Sequence, residues 1–319
     1  MCRYLLHRIF FLIFSFAAAL LLIFVLLRLM PGDPANALLS VDATAEQIAA
    51  ARAKAGSDRP LAEQCVLWFA DILRGNLGES YISGVSVSAE VKRRLGVTIP
   101  LTLISFSVSF LLASVTGFIT AYKNRRWYAT VLTVFTQLNL AIPAFWVGII
   151  FVWLFALRFP LLPSGGWPGG GWGDPAAAVE SLILPALTIV FVMSSSLARY
   201  VRSNVLSVMD SGFLMASRSL GFSQVRSFVL HGIRNAYVPV ISILGMELSS
   251  TLIGAVVVEN VFALPGLGSM LTKAIAQHDY PSIQGVLLVS TCIVLFIGFF
   301  ADVVQRILDP RLRNQRKIE

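Results

Sequence analysis

Charge is scarce in this chain, and that scarcity excludes an ordinary water-soluble protein. Only 13% of the 319 residues are charged and 56% are hydrophobic, whereas charged residues make up about 25% of a typical soluble domain. A core surrounded by water could not bury so much apolar surface, so lipid is the expected solvent. The composition therefore predicts an integral membrane protein.

Residues that carry out chemistry are also few and scattered. The three cysteines, Cys2, Cys65 and Cys292, and the three histidines lie far apart and lack the spacing of a metal site. The chain contains no H-E-x-x-H, no G-x-S-x-G and no phosphate-binding G-x-x-x-x-G-K-[ST]. We therefore expect no enzyme activity, no metal and no cofactor in this chain. Any energy must come from partner subunits or from an ion gradient.

The basic residues that are present lie mainly in loops between apolar stretches. The formal net charge is +8, which in a soluble protein would suggest binding to nucleic acid. No basic cluster is interleaved with aromatic residues for base stacking, so we expect no nucleic-acid partner. Lysine and arginine accumulate in the cytoplasmic loops of membrane proteins, and this tendency explains the excess.

Apolar stretches of about 20 residues, the length that a helix needs to cross a bilayer, occur six times. The first follows a basic start, but it is too long for a signal peptide and leads into Pro-Gly-Asp-Pro rather than a cleavage site. With six crossings, the basic N-terminus, two basic loops and the basic tail share one side, which is then cytoplasmic. The predicted fold is all-α, with six transmembrane helices and cytoplasmic N- and C-termini. The predicted spans are 9–30, 97–122, 131–157, 179–201, 237–261 and 285–307.

The order of these spans divides the chain into four parts. Residues 1–30 form the cytoplasmic start with the first span, and residues 31–96 form an external loop. Residues 97–307 form a five-span core that includes a cytoplasmic loop, 202–236, and residues 308–319 form a cytoplasmic tail.

The external loop is too long to be a simple connector. Within it Leu61, Cys65, Trp68 and Ile72 recur at helical spacing and predict an amphipathic helix. This helix either packs against the ends of spans or helps to receive a partner from outside. The basic residues 92–94 conflict locally with the charge rule, from which long loops are largely exempt.

Polar residues inside the predicted spans are candidates for lining a translocation path, because ionisable groups are costly in lipid. Gln137 and Asn139 precede a proline, which can kink a helix. Glu247 and Ser250 lie in the fifth span, and Glu259 lies near its outer end, where we expect it to reach water. For a carboxylate within a span, the alternative is a partner on a neighbouring helix or subunit.

The segment 209–239 is a basic segment that contains several glycines and lies between two apolar stretches. Within it Phe213, Ala216 and Leu220 share one face of a short predicted helix, and Gly221 can adopt a positive φ angle that ends this helix. A short helix bound in a groove would transmit rigid-body motion from a cytoplasmic partner. The alternative is a helix that lies on the membrane interface.

Motifs spread over nearly the whole chain resemble those of one family, the permease subunits of binding-protein-dependent ABC importers. The resemblance is to the oligopeptide, dipeptide and nickel branch, and within it to the first, B-type permease. Any one motif alone would be weak, whereas the ordered set is specific. The motifs are MPGDP (30–34), GNLGES (75–80), GAVVVENVF (254–262), LPGLG (264–268), DYPSIQG (279–285) and LDPRLR (308–313).

The resemblance implies a type I importer permease fold that forms half of a path with a second, similar permease. It also implies two cytoplasmic ATPase subunits that hold ATP and Mg²⁺, a solute-binding protein outside, and a location in a bacterial or archaeal cell membrane. The segment 211–222 would then be the coupling helix that docks on an ATPase, with leucine at 220 where the family usually has lysine. The residues assigned to docking are Ser211, Phe213, Leu214, Ala216, Ser217, Arg218, Leu220, Gly221 and Phe222.

Short peptides, either dipeptides or oligopeptides, are the substrates that the resemblance implies first. The alternative is the same architecture importing nickel, another metal chelate or a different small solute. A self-contained secondary transporter would show internal repeats and several charges at the membrane midplane. The sequence has no convincing repeat and few such charges.

Overall fold

Helices form almost all of the regular structure in this protein. The computed structural model describes residues 2–29 and 44–308. Within these residues, the β-type pairing is an isolated bridge between Glu79 and Ser86. The α-helices in chain order are α1 (Cys2–Leu29), α2 (Ala45–Ala55), α3 (Leu61–Leu73), α4 (Val87–Tyr122), α5 (Trp127–Asn139), α6 (Ala144–Phe151), α7 (Pro175–Met209), α8 (Gly212–Ser219), α9 (Gln224–Ser227), α10 (Ile233–Val261), α11 (Leu267–Ala276) and α12 (Tyr280–Leu308).

Five of these helices, α1, α4, α7, α10 and α12, are long and apolar enough to cross a membrane. Each contains an apolar window of 18 residues with no more than two charged side chains. They cover five of the six predicted spans and extend past several of them, because α4 begins at Val87 and α7 runs from Pro175 to Met209. The predicted all-α membrane architecture is therefore confirmed.

The third predicted span, 131–157, is broken rather than continuous, so that prediction was wrong in its detail. α5 and the stretch Ala144–Arg158, which consists of α6 and a π-helical end, meet at an angle of 106°. The break falls at Pro143, which has no N–H group to continue the helical ladder. The N–H groups of Leu140 and Ala141 instead bond carbonyls three residues back, in tight turns.

The chain divides into two compact units, one of Met1–Thr98 with Pro265–Phe296 and the other of Ile99–Leu264 with Ile297–Glu319. In the second unit, α7 packs along α10 in antiparallel fashion. Met193 of α7 contacts Thr251 of α10, whose hydroxyl lies 3.0 Å from the methionine sulfur. Toward the other end of the pair, Val205 shares a buried cluster with Ala236.

The two arms of the broken span lie toward opposite ends of this α7–α10 pair. α5 lines a cavity together with the C-terminal part of α7. In α6, a Cβ atom added at Gly148 would lie 3.2 Å from the ring of Phe262, just beyond the end of α10. Farther along, the Gly166 N–H donates to the Phe262 carbonyl at 2.8 Å. The broken pair therefore runs from one end to the other, and we count it as one crossing, which brings the number to six.

Small residues allow the helices of the second unit to approach closely, as is common in membrane bundles. A Cβ atom added at Gly117 would lie 2.7 Å from the Cβ of Val201. One added at Gly245 would lie 2.2 Å from the Cβ of Ala301. Because real Cβ atoms do not approach so closely, these two positions require glycine.

The first unit brings two of the sequence motifs into contact. The Asp279 carboxylate, at the start of DYPSIQG, accepts hydrogen bonds from the Ser80 hydroxyl at 2.6 Å and from the Tyr81 N–H at 2.9 Å. Gly78 has φ +82°, and a Cβ atom there would contact Pro281 at 3.6 Å. The motifs at 75–80 and 279–285 therefore pack against each other in this unit.

The amphipathic helix predicted in the external loop is α3, and Cys65, Trp68 and Ile72 of its predicted face are half-buried. Trp68 packs against Phe24 of α1, with ring centroids 5.8 Å apart, whereas Leu61 is 62% exposed. Gln64 is also buried, and its side-chain amide donates to the Arg59 carbonyl at 2.7 Å. The contact of Trp68 with α1 favours the interpretation of packing against a span.

The basic residues that conflicted with the charge rule are partly neutralised within their own helix. Near the start of α4, Arg93 and Arg94 each form an ion pair with Glu90, with nitrogen–oxygen distances of 2.6 Å. Lys92 is exposed. Only one cation of the three is therefore left without such a pair among the residues that the structure describes.

Candidate functional site

The segment predicted to dock on a partner forms a separate short helix. α7 ends at Met209, Ser211 has an extended conformation with φ −76° and ψ 145°, and α8 then begins at Gly212. Beyond α8, Gly221 has φ +90°, in the left-handed region that favours glycine. The short helix and the glycine that ends it are therefore both present.

The inner face of α8 is anchored to the second unit. Leu214 is only 3% exposed and belongs to a buried cluster with Val205 of α7 and with Phe228. Ser217 is also buried, and its hydroxyl donates to the Ser227 hydroxyl at 3.0 Å. These contacts attach α8 to the end of α7 and to the chain that leads into α10.

The outer face of α8 is apolar and open. Phe213 is 43% exposed and Leu220 is 80% exposed, and Ala216 between them is exposed as well. Exposed apolar side chains that share one helix face are typical of a surface that binds a partner. Of the other residues assigned to docking, Ser211 and Phe222 are half-buried and Arg218 is exposed.

Two exposed apolar residues next to α8 were missed in the sequence. Val229 and Leu230 lie in π-helical turns between α9 and α10, and both are more than half exposed. These turns pack against α8. The apolar run Phe-Val-Leu at 228–230, inside an otherwise cationic segment, was the signal that could have identified them.

Of the two polar residues predicted in the third span, Gln137 is exposed and Asn139 is buried. The Asn139 amide donates to the Phe191 carbonyl at 2.8 Å and to the Ser195 hydroxyl at 2.9 Å. Both partners belong to α7, so Asn139 fixes the break in the span to its neighbour. Its side chain is buried against α7 in this conformation.

The three polar residues predicted in α10 have different environments. Glu247 is half-buried and accepts a hydrogen bond from the Ser196 hydroxyl of α7 at 3.0 Å, while Ser250 is exposed. The neighbouring helix therefore does supply a partner for the Glu247 carboxylate. Glu259 is completely buried, so the expectation that it reaches water was wrong. The chain closes over this end of α10, where the Leu264 N–H donates to the Glu259 carbonyl at 2.8 Å.

Gln137 opens into a cavity of about 300 Å³ at the end of the second unit that carries α8. Four threonines from α4 and α5 line it together with Arg199 and Arg202 of α7. These six residues were not identified as lining a cavity from the sequence. Their spacing offered a signal, since Thr116 and Thr120 are four residues apart and the two arginines are three apart.

The crossings, the polar cavity and the exposed helix between α7 and α10 together define a multi-pass transport protein of the cell membrane. Comparison with known proteins identifies its family. Residues 113–314 match the family described as "Binding-protein-dependent transport system inner membrane component". Residues 1–102 match the family of the corresponding N-terminal region. The chain belongs to this family of binding-protein-dependent transport permeases.

Named relatives cover almost the full length of the chain. A peptide transport system permease protein of Brucella abortus is 34% identical over 92% of this chain and 93% of its own length. A peptide ABC transporter permease protein of Sinorhizobium fredii is 32% identical over 97% of this chain and 99% of its own length. The glutathione transport system permease protein of Salmonella choleraesuis is 31% identical over 98% and 99%.

Proposed function

We propose that this chain is one of two permease subunits of an ATP-driven importer for short peptides. The observation that carries the proposal is the two-sided geometry of α8. Its inner face is held by Leu214 and by the Ser217–Ser227 hydrogen bond, while Phe213, Ala216 and Leu220 remain open on its outer face. A helix of this kind joins a membrane bundle to a partner that moves.

The partner of α8 is a cytoplasmic ATPase. The chain contains no phosphate-binding loop of its own, so ATP and Mg²⁺ are held by two ATPase subunits and the chain itself is not an enzyme. The N-terminus, the loop 202–236 and the tail 308–319 face the cytoplasm. A solute-binding protein delivers the substrate on the other side, and a second, similar permease completes the path.

Peptides are the substrate class that the relatives support best. The matched proteins of Brucella and Sinorhizobium are named for peptide transport, and the Salmonella protein is named for glutathione, which is itself a peptide. None of these three names refers to nickel or to a metal chelate. We therefore favour peptides over the alternative of a metal chelate or another small solute.

Transport follows from the way in which α8 is attached. When ATP closes the two ATPases, their grooves draw this α8 and its counterpart in the second permease together. Because α8 is packed onto the end of α7 and the start of α10, its movement turns these helices as one body. The bundle switches access from one face of the membrane to the other, and hydrolysis resets it.

Reconstitution tests this proposal. The chain, a second permease, the ATPases and the binding protein are inserted together into proteoliposomes, and the uptake of a radiolabelled tripeptide is measured. We expect uptake that requires both ATP and the binding protein, and no competition from a nickel chelate. As a control, the chain is reconstituted alone under a proton or sodium gradient. Peptide flux in that control would identify a secondary transporter and overturn the proposal.

A further inference from the structure

The cavity beside Gln137 has the chemistry of a site for the end of a peptide chain. Its lining comes entirely from the second unit, from α4, α5 and the C-terminal part of α7. None of the described residues that line it is acidic. A pair of arginines without a neighbouring carboxylate gives this cavity a positive potential, which attracts an anionic group.

Arg202 is the residue that points most directly to a ligand. It is half-buried, and because its Nε atom is shielded, its terminal nitrogens are the atoms that can meet a ligand in the cavity. The nitrogens of a guanidinium bind a carboxylate through two parallel hydrogen bonds. Arg199 is exposed on the same helix, where its guanidinium lies 5.4 Å from the centre of the Tyr200 ring. It adds a second positive charge to the cavity lining.

The threonines of α4 and α5 act as acceptors. The hydroxyls of Thr116 and Thr120 donate to carbonyls of α4 at 2.7 and 2.8 Å, and that of Thr133 donates to a carbonyl of α5 at 2.7 Å. Since each hydroxyl has only one proton, these contacts leave oxygen lone pairs to face the cavity. The cavity lining thus offers cationic donors from α7 and neutral acceptors from α4 and α5.

We infer that this cavity binds the C-terminal carboxylate of a peptide on its way through the permease. The carboxylate pairs with Arg202, and the main-chain N–H groups next to it donate to the threonine oxygens. A volume of about 300 Å³ is at the lower end of the range for small-molecule sites and suits the end of a short peptide. The inference rests on the proposed function and adds a binding site on the transport path.

An anionic lipid headgroup shares the negative charge but matches the threonines less directly. A phosphodiester itself presents only oxygen acceptors, so any donor to the threonine oxygens would have to come from the rest of the headgroup. The carboxyl end of a peptide carries both an anion and adjacent donors. The lining therefore favours a peptide over a phospholipid.

Protection of an introduced cysteine tests the site directly. Ser203 lines the cavity and is exposed, so Ser203→Cys in a background without the three native cysteines reports on access. The complete transporter is placed in nanodiscs without nucleotide, and the rate of labelling by N-ethylmaleimide is measured. We expect trialanine to slow the labelling and trialanine amide to require an about tenfold higher concentration. Tenfold corresponds to roughly 1.4 kcal/mol, close to the lower value for a hydrogen bond to a charged group.

Two further variants make the assignment specific. Arg202→Gln is expected to raise the protecting concentration of trialanine about tenfold, to that of the amide. Arg125→Gln removes the same charge from an exposed position in the loop 123–126 and is expected to leave protection unchanged. Equal protection by trialanine and its amide, or no effect of Arg202→Gln, would overturn the inference.

The same labelling experiment separates this site from its competitors. If the cysteine is already shielded without peptide, and is freed when phosphatidylglycerol is replaced by phosphatidylcholine, the occupant is a lipid headgroup and the inference is wrong. If the cysteine is instead shielded only when the second permease is present, the inference is wrong as well. Protection by trialanine does not require ATP-driven uptake. A transporter that protects but fails to import would therefore contradict the proposed function and leave this site in place.

Discussion

Gly221 is required for its backbone conformation rather than for its small volume. Its φ angle is +90°, and a Cβ atom added there would have no neighbour within 4 Å. A side chain would thus meet open space, but the backbone would be strained. Left-handed geometry costs an ordinary residue roughly 1–2 kcal/mol, and β-branched residues tolerate it least.

A pair of substitutions at this position separates geometry from bulk. Gly221→Val should shift the turn after α8 and reduce co-purification of the ATPase with the permease, because α8 would no longer be presented in the same direction. Gly221→Asn adds a side chain of similar size, but asparagine tolerates a positive φ, so ATPase recovery should remain near the wild-type level. The ATPase-to-permease ratio after affinity purification measures both. If both variants lost the ATPase equally, side-chain bulk rather than backbone geometry would be the cause. If both retained it, the positive φ angle of Gly221 would not be needed for docking.

Some properties of single residues could be predicted from the sequence, whereas others could not. The positive φ of Gly221 follows from a glycine placed after a short amphipathic stretch, which is local information. The burial of Asn139 is not local, because it depends on contacts with α7, such as that with Phe191, 52 positions away in the chain. No periodicity within one span reports such a contact.

α8 and the leucine that follows it, Leu220, combine two opposite requirements within a short segment. Leu214 must be buried to hold the helix on the bundle, whereas Leu220 must stay exposed to reach a partner. Their exposed fractions, 3% and 80%, express this division. The two leucines therefore allow the anchoring face and the docking face to be tested by the same chemical change.

Alanine at each leucine should affect a different property. Leu214→Ala opens a cavity in a buried cluster and should lower the free energy of unfolding by about 2–5 kcal/mol. Leu220→Ala removes an exposed side chain and should change that free energy by no more than about 0.5 kcal/mol, while weakening the association with the ATPase. Thermal unfolding in detergent and ATPase co-purification measure the two effects. A large loss of stability in Leu220→Ala, with no loss of association, would contradict the assignment of the faces.

The broken third span shows how far an element can be predicted from sequence. Pro143 was recognised as a residue that can kink a helix, yet Pro100, Pro185 and Pro239 lie inside helices that continue past them. A proline alone therefore does not predict a break. Here the chain is also held by Asn139, whose two hydrogen bonds to α7 fix the end of α5 in place. This tertiary contact was not visible in the sequence.

At the scale of the whole molecule, the distribution of charge and the number of crossings must agree. Six crossings put the basic loop 123–126 on the cytoplasmic side and the loop 159–174 on the outer side. This arrangement requires the broken pair of α5 and α6 to pass through the membrane. If the pair were re-entrant, both loops would lie on the same side and α8 would face outward, away from any cytoplasmic ATPase.

Cysteine accessibility distinguishes these two topologies. Asn124 and Gly170 are both exposed, and Gly170 has φ −78° with open space at its Cβ position, so each accepts cysteine without strain. In intact right-side-out vesicles of a cysteine-free background, a membrane-impermeant maleimide should label Gly170→Cys but not Asn124→Cys. The latter should react only after the membrane is permeabilised. Ser83→Cys, exposed in the external loop, provides the positive control. If Gly170→Cys stayed silent until permeabilisation while Ser83→Cys reacted, the broken pair would be re-entrant, and the cytoplasmic position of α8 would be lost with the sixth crossing.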